Sequence, residues 1–149
     1  MSHSFTQLTY HIVFATKHRR PLIDESIEPQ LYAALEGIIR DQDGIPLEVN
    51  GMPDHVHVLA RLSPTRAVSD VLRMLKATSS ARTTETMPEF GWQNGYAAFT
   101  VSRSNVDAVR RYIRDQKRHH AKKSFMGEFR QLLELHGYDP AKAADLLGE

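Results

Sequence analysis

The chain of 149 residues contains no cysteine, which excludes disulfides, thiolate metal sites and cysteine nucleophiles. Imidazole, carboxylate, amide and hydroxyl groups are left to carry any chemistry. No apolar run approaches the roughly 20 residues needed to span a bilayer. The opening MSHSFTQLTYHIVF lacks a basic segment followed by an apolar core and a small-residue cleavage site. A cytoplasmic protein without a membrane partner is expected. Low-complexity stretches, internal repeats and flexible linkers are also missing. With 41% hydrophobic and 25% charged residues, the composition fits one domain over residues 1–149, large enough to bury a core without staples.

The net charge of +1 is too small to indicate a partner, but its distribution is uneven. Between Asp24 and Asp54 eight acidic residues face only Arg40, whereas Arg103 to Lys123 carries eight basic residues against Asp107 and Asp115. A second basic cluster, Lys17-His18-Arg19-Arg20, follows the first strand-like segment. Such clusters are often only solvated faces; combined with other signals they point to a polyanion.

Local patterns predict the element order. Phe5 to Thr16, rich in β-branched and aromatic residues, reads as a strand. Ser26 is placed to cap a helix with Leu31, Leu35, Ile38 and Ile39 on one face. Leu47 to Met52 and Val56 to Leu62 read as a hairpin joined through Pro53-Asp54. Ala67 to Met87 has helical spacing, and Ala97 to Ser102 is a short strand. Ser104 and Asp107 have capping-box spacing and open a helix to about Lys122. Ser124 starts another, with Phe125, Phe129, Leu132 and Leu133 buried, ended by Gly137; Pro140 to Glu149 is a small helix or a frayed tail. The expected fold is α+β: a split βαβ arrangement, a βαββαβ antiparallel sheet with helices on one face, followed by extra C-terminal helices.

Two constellations could carry chemistry. Strand alternation sends His55 and His57 to one face and Val56, Val58, Ala60 and Leu62 to the other. Two imidazoles about 7 Å apart along a strand make half of a divalent-metal site, although an isolated His-hydrophobe-His triplet is more often incidental. On the basic helix, Tyr112 and Gln116 stand one above the other, beside a buried stripe of Val106, Val109 and Ile113, with Arg110, Arg114 and Arg118 on another side. A tyrosine there is usually a packing residue. The amide one turn later and the dense positive charge favour a chemical role. Together the groups suit attack on a DNA phosphodiester by a tyrosine, with a metal at His55, His57 and the Gln116 carbonyl polarising the phosphate.

At these residues the chain resembles the single-tyrosine HUH transposases of the small insertion sequences of the two-hundred and six-hundred-and-five type. Three ordered blocks carry the resemblance: YHIVFATKHRRPLI (Tyr10 to Ile23), GMPDHVHVLARL (Gly51 to Leu62) and YIRDQKRHH (Tyr112 to His120). The segment SFMGEFRQLLELHGY, Ser124 to Tyr138, is similar to the family's end. The resemblance implies a ferredoxin-like or RRM-like domain, and a transposase that cuts and rejoins single-stranded DNA at hairpin-marked element ends through a phosphotyrosine intermediate. It implies Tyr112 as nucleophile, and His55, His57 and Gln116 as ligands of Mg2+ or Mn2+. It further implies a homodimer, with the tyrosine helix of one protomer typically completing its partner's site, and a nucleoid-associated place in a bacterial or archaeal cytoplasm. It extends less firmly to Lys76-Ala77-Thr78-Ser79-Ser80, where the family commonly has glycine after the lysine and this chain has Ala77. With the basic clusters, it makes Lys17, Arg19, Arg20, Lys76, Arg110, Arg114 and Arg118 candidate DNA contacts.

Other readings use the same residues differently. A domesticated nuclease acting at scattered palindromes would keep the whole constellation. A non-catalytic single-strand binder would stack bases on exposed strand aromatics, for which Tyr10, Phe14 and Phe99 are candidates. A metal-dependent hydrolase using water would leave Tyr112 without a role.

Overall fold

The computed structural model describes residues 4–119 and 123–142. Four strands, β1 (Thr9–Ala15), β2 (Ile45–Met52), β3 (His55–Arg61) and β4 (Ala97–Thr100), form one antiparallel sheet in the order β2-β3-β1-β4. Helix α1 (Glu28–Asp41) follows β1 and α2 (Val68–Thr83) follows β3, which completes the expected βαββαβ unit. Short helices α3 (Val106–Arg114) and α4 (Gln116–His119) and then α5 (Phe125–Leu135) lie C-terminal to it. No helix among the described residues is long and apolar enough to cross a membrane.

Strand alternation sorts the side chains as expected. Ile12, Phe14, Val56, Val58 and Ala60 project toward α1 and α2, where they join Leu31, Leu35, Ile38, Ile39, Val71, Leu72 and Leu75 in one apolar cluster. The opposite face is also covered, which corrects the one-sided arrangement expected from sequence. The reason is apolar demand, because Val13, Ala15, Leu59 and Phe99 point to that side and need burial. Ile113 from α3 and Phe125, Phe129 and Leu133 from α5 supply it. None of the three candidate stacking aromatics lies on an open sheet: Phe14 and Phe99 are buried and Tyr10 packs against the core.

Several boundaries differ for identifiable reasons. Asp24, not Ser26, organises the start of α1: its carboxylate accepts from the backbone N–H of Ser26 and of Ile27, and its carbonyl accepts from Glu28 N–H. Ser104 lies in a 3-10 turn, Arg103–Asn105, and makes no cap. The single helix expected to about Lys122 is interrupted at Asp115, and residues 120–122 lie outside the described ones. Ser124 does cap α5, accepting from Gly127 N–H, and Gly137 ends that segment in the left-handed region at φ 84°. Of the expected final helix, Pro140–Lys142 forms one 3-10 turn, and residues 143–149 lie outside the described ones.

The β2–β3 hairpin is the fold's main device for placing the site. Its two-residue Pro53-Asp54 connection pairs Met52 with His55 and Asn50 with His57. A Cβ on Gly51 would collide with the carbonyl of His55 and the Cα of Val56. Glycine is therefore required where the hairpin backbones close up beside the first histidine.

Candidate active site

His55 and His57 are completely buried, and each has its two ring nitrogens assigned to different tasks. His55 Nδ1 lies 2.7 Å from Asp54 Oδ1, and His57 Nδ1 lies 2.8 Å from His11 Nε2. His11 reaches His57 because β1 pairs with β3 so that Val13 faces His57 and His11 faces Leu59 on the same side of the sheet. The outer nitrogens being so engaged, both Nε2 atoms are turned toward α4 and α5.

There they meet a residue that the sequence reading did not select, Glu128 of α5. Its Oε1 lies 2.9 Å from His57 Nε2 and 3.3 Å from His55 Nε2. Its Oε2 accepts hydrogen bonds from the Tyr112 hydroxyl and, at 2.7 Å, from Gln116 Nε2. Gln116 Oε1 in turn lies 3.3 Å from His55 Nε2. One buried carboxylate thus touches all four residues singled out from sequence as nucleophile and metal ligands, within a single chain.

Gln116 reaches this position because the helix breaks just before it. Neither proline nor glycine causes the break. The Asn50 side-chain amide donates to the carbonyls of Ile113 at 3.0 Å and Arg114 at 2.9 Å, the acceptors that a continuing helix would use for residues 117 and 118. Asp115 then leaves helical geometry at φ −93°, ψ 15°. Gln116 is fully buried beyond it, while Tyr112 remains half-buried.

The electrostatics are those of a negative group among imidazoles. Burial pushes the Glu128 carboxyl up, but hydrogen bonds with His55 and His57, the charge of His57 and the Tyr112 hydroxyl outweigh it and hold the group below the usual carboxylate range. For His55, burial lowers the imidazole's affinity for protons, and the hydrogen bonds with Asp54 and Glu128 more than reverse this. His11 is driven down to about 3 by burial and then by the charge of His57, so it is neutral near pH 7. Burial, followed by the hydrogen bond to Glu128 and its charge, raises the Tyr112 phenol well above its ordinary value. The phenol is therefore protonated as it stands and needs a compensating positive charge to become a nucleophile.

The donors fit a hard or borderline divalent ion. Ligand atoms of His55, His57 and Glu128 all lie within 4.8 Å of one another, and Gln116 Oε1 adjoins them. Neighbouring ligands of an octahedral ion with bonds of about 2.1 Å stand about 3 Å apart, close to the 2.9 and 3.3 Å separations here. Nitrogen and oxygen donors without thiolate suit manganese and admit magnesium.

The candidate DNA contacts are placed unevenly. Lys17 and Arg20 are exposed and Arg19 is half-exposed on a 3-10 turn in which His18 and Arg19 both have positive φ. Lys76 is turned inward, donating to the carbonyls of Gln93 at 2.6 Å and Gly95 at 2.7 Å. Arg110 and Arg114 both contact Glu48 at 3.2 Å, and Arg118 is exposed. Lys117 contacts Glu28 at 3.0 Å. The acidic and basic segments separated in sequence therefore meet in space at these residues.

The family described as "Transposase IS200 like" matches residues 4–116. The ISDra2 transposase TnpA of Deinococcus radiodurans is 29% identical over 122 residues, covering 74% of this chain and 84% of that protein. The transposase of insertion sequence element IS200 from Salmonella typhimurium is 27% identical over 139 residues, 86% of each chain. A crystal structure solved as a candidate transposase of Deinococcus radiodurans R1 superposes with a TM-score of 0.65 at 25% identity, covering 78% of this chain and 95% of that one. A REP-associated tyrosine transposase bound to a REP hairpin shares the fold at a TM-score of 0.58 and 16% identity, over 80% of this chain and 73% of that one. With its sheet order, its buried histidine pair and a family match over residues 4–116, this chain belongs to the IS200-like transposases.

Proposed function

We propose that this transposase cuts and rejoins single-stranded DNA at hairpin-marked ends through a covalent bond to Tyr112, with Mg2+ or Mn2+ held by His55, His57, Gln116 and Glu128. The observation that carries this reading is the convergence of the Tyr112 hydroxyl, the Gln116 amide and both histidine Nε2 atoms on the two oxygens of Glu128. When bound, the ion would polarise a non-bridging phosphate oxygen and supply the positive charge that the phenol lacks. The Tyr112 oxygen attacks phosphorus, one phosphorus–oxygen bond breaks, and the leaving strand departs as a hydroxyl carrying the proton the phenol gave up. The phosphotyrosine ester conserves the energy of the cut bond, so a second strand's hydroxyl can reverse the exchange without ATP. Water attack leaves the hydrogen bond that orients Tyr112 without purpose, and that favours the tyrosine reading over a hydrolase.

The test uses single strands carrying the palindromes that flank the reading frame. Tyr112→Phe should bind them as the parent does and form no denaturation-resistant adduct, a loss of at least about three orders of magnitude. Chelation should stop cleavage and leave binding largely intact. Full cleavage by the phenylalanine variant would remove Tyr112 from the mechanism. The arrangement also supports a site completed within one chain, whatever the oligomeric state. Mixed His57→Ala and Tyr112→Phe proteins, given time to exchange subunits, should then stay inactive. Recovery of cleavage would establish that tyrosine and histidines come from different protomers.

A further inference from the structure

Beside Tyr112 lies a cavity of about 320 Å³ that neither the metal ligands nor the nucleophile requires. It is bounded by the end of β4, by α3 and by α5, and Tyr112, Glu128 and His11 are among the residues that line it. We propose that it receives one unpaired nucleobase of the DNA strand, that of a nucleotide adjoining the scissile phosphate. The inference rests on the tyrosine reading above and adds to it a protein contact that selects the nucleotide at the cut.

Three observations converge on that occupant. Position comes first: a phosphate attacked by Tyr112 brings its two flanking nucleotides to the mouth of this cavity, and in a single strand their bases are unpaired and seek a surface to stack on. Size is the second. The volume is at the small end of the about 300–1,000 Å³ range of ligand pockets, room enough for one nucleobase. Chemistry is the third. Val109 and Leu132 give apolar walls, while Thr100, Ser102, Asn105 and Gln131 provide both donors and acceptors for a base edge. The wall also contains His136, whose ring stacks on Phe99 with centroids 3.9 Å apart and planes 2° from parallel. That pair offers a braced aromatic surface on a wall otherwise built for hydrogen bonding. Burial lowers the His136 imidazole below its ordinary value, so a neutral ring, able both to donate and to accept, faces the site near pH 7.

The experiment is an abasic scan. In strands that the parent protein cleaves, each nucleotide within three positions of the mapped cut is replaced in turn by an abasic residue, and the rate of adduct formation is measured. One position adjoining the cut should lose about tenfold or more, with hairpin affinity unchanged. Gln131→Trp, which fills the cavity from an exposed position on α5, should lose a similar factor on the intact strand and lose nothing further on the abasic one. Asn105→Trp fills it from α3's side and guards against a local defect in α5. As a readout independent of cleavage, 2-aminopurine at the sensitive position should change its fluorescence on binding to Tyr112→Phe, and this change should disappear when Gln131→Trp is added. Equal rates on every abasic strand, or losses in the tryptophan variants that simply add to the abasic loss, would overturn the pocket while leaving Tyr112 in place. Absence of adduct on every intact strand would overturn both readings.

Discussion

The two faces of the sheet are built to different rules. Under α1 and α2 lies one continuous apolar cluster, in which Ile12, Leu35, Val56 and Leu72 are wholly sealed from solvent. Under α3, α4 and α5 the apolar residues fall into two smaller groups, one around Phe125 and Phe129 and one around Leu59 and Ile113. On that same side His11, His55, His57, Gln116 and Glu128 are buried. Burying polar groups is unfavourable unless each finds a partner, and here the partners are one another. The first face supplies stability from area; the second holds a polar network that is unforgiving of a missing member.

That contrast implies an ordering of mutational effects. Leu72→Ala removes a fully buried side chain between α2 and the sheet. It should cost about 2–5 kcal/mol of unfolding free energy, read from the shift of a urea transition. Protein that remains folded at low denaturant should still cleave at close to the parent rate, because no group of the site touches this position. A collapse of activity without loss of stability would mean that the two faces are coupled through the sheet.

A change on the second face should show the reverse pattern. Asn50→Ala deletes the amide that caps the carbonyls of Ile113 and Arg114. Those acceptors then become available to the N–H groups of residues 117 and 118, and α3 can run on through Asp115. Gln116 would be withdrawn from His55 and Glu128. By analogy with other supports of metal ligands, Mn2+ affinity should fall about 10–100-fold in a calorimetric titration, with a stability loss smaller than that of Leu72→Ala. Unchanged Mn2+ affinity would show that the helix break does not depend on Asn50.

The same contrast explains what the sequence made legible. The βαββαβ order and the apolar face follow from period-2 and period-3.6 patterns, which are local. The histidine pair was readable because alternation alone puts His55 and His57 on one side. Gln116 was found through its spacing from Tyr112, yet the continuous helix assumed in that reading is broken, and the cause, Asn50, lies on a different element. Glu128 was missed because its role arises only when α5 crosses back over the sheet, and it stands twelve residues past Gln116, where the family match ends. A signal was present: Glu128 falls between Phe125 and Phe129 on the buried stripe of its helix, where an unpaired charge is not tolerated. The basic clusters were legible only as charge, because sequence does not show which acidic residues the fold sets beside them.

The smallest effect, and the sharpest on the DNA surface, concerns Glu48. Its carboxylate accepts from both Arg110 Nε and Arg114 Nη2 at 3.2 Å, and both arginines are well exposed to solvent. Pairs of this kind contribute about 0–1 kcal/mol each, so Glu48→Gln should leave the urea midpoint nearly unchanged. Binding is where it should be felt. If Arg110 and Arg114 meet phosphates, DNA competes with Glu48 for the two guanidiniums in the parent protein. Removing the charge frees them and strengthens hairpin binding by up to about fivefold at low salt, the equivalent of one such pair. Counterion release adds a second signature, because each further phosphate neutralised steepens the log–log dependence of affinity on salt by about 0.7 for a single strand. Stronger binding with a steeper slope would place the α3 arginines on the DNA path. An unchanged affinity and slope would confine them to holding α3 against β2, and leave the exposed Lys17, Arg20 and Arg118 as the cations that meet the strand.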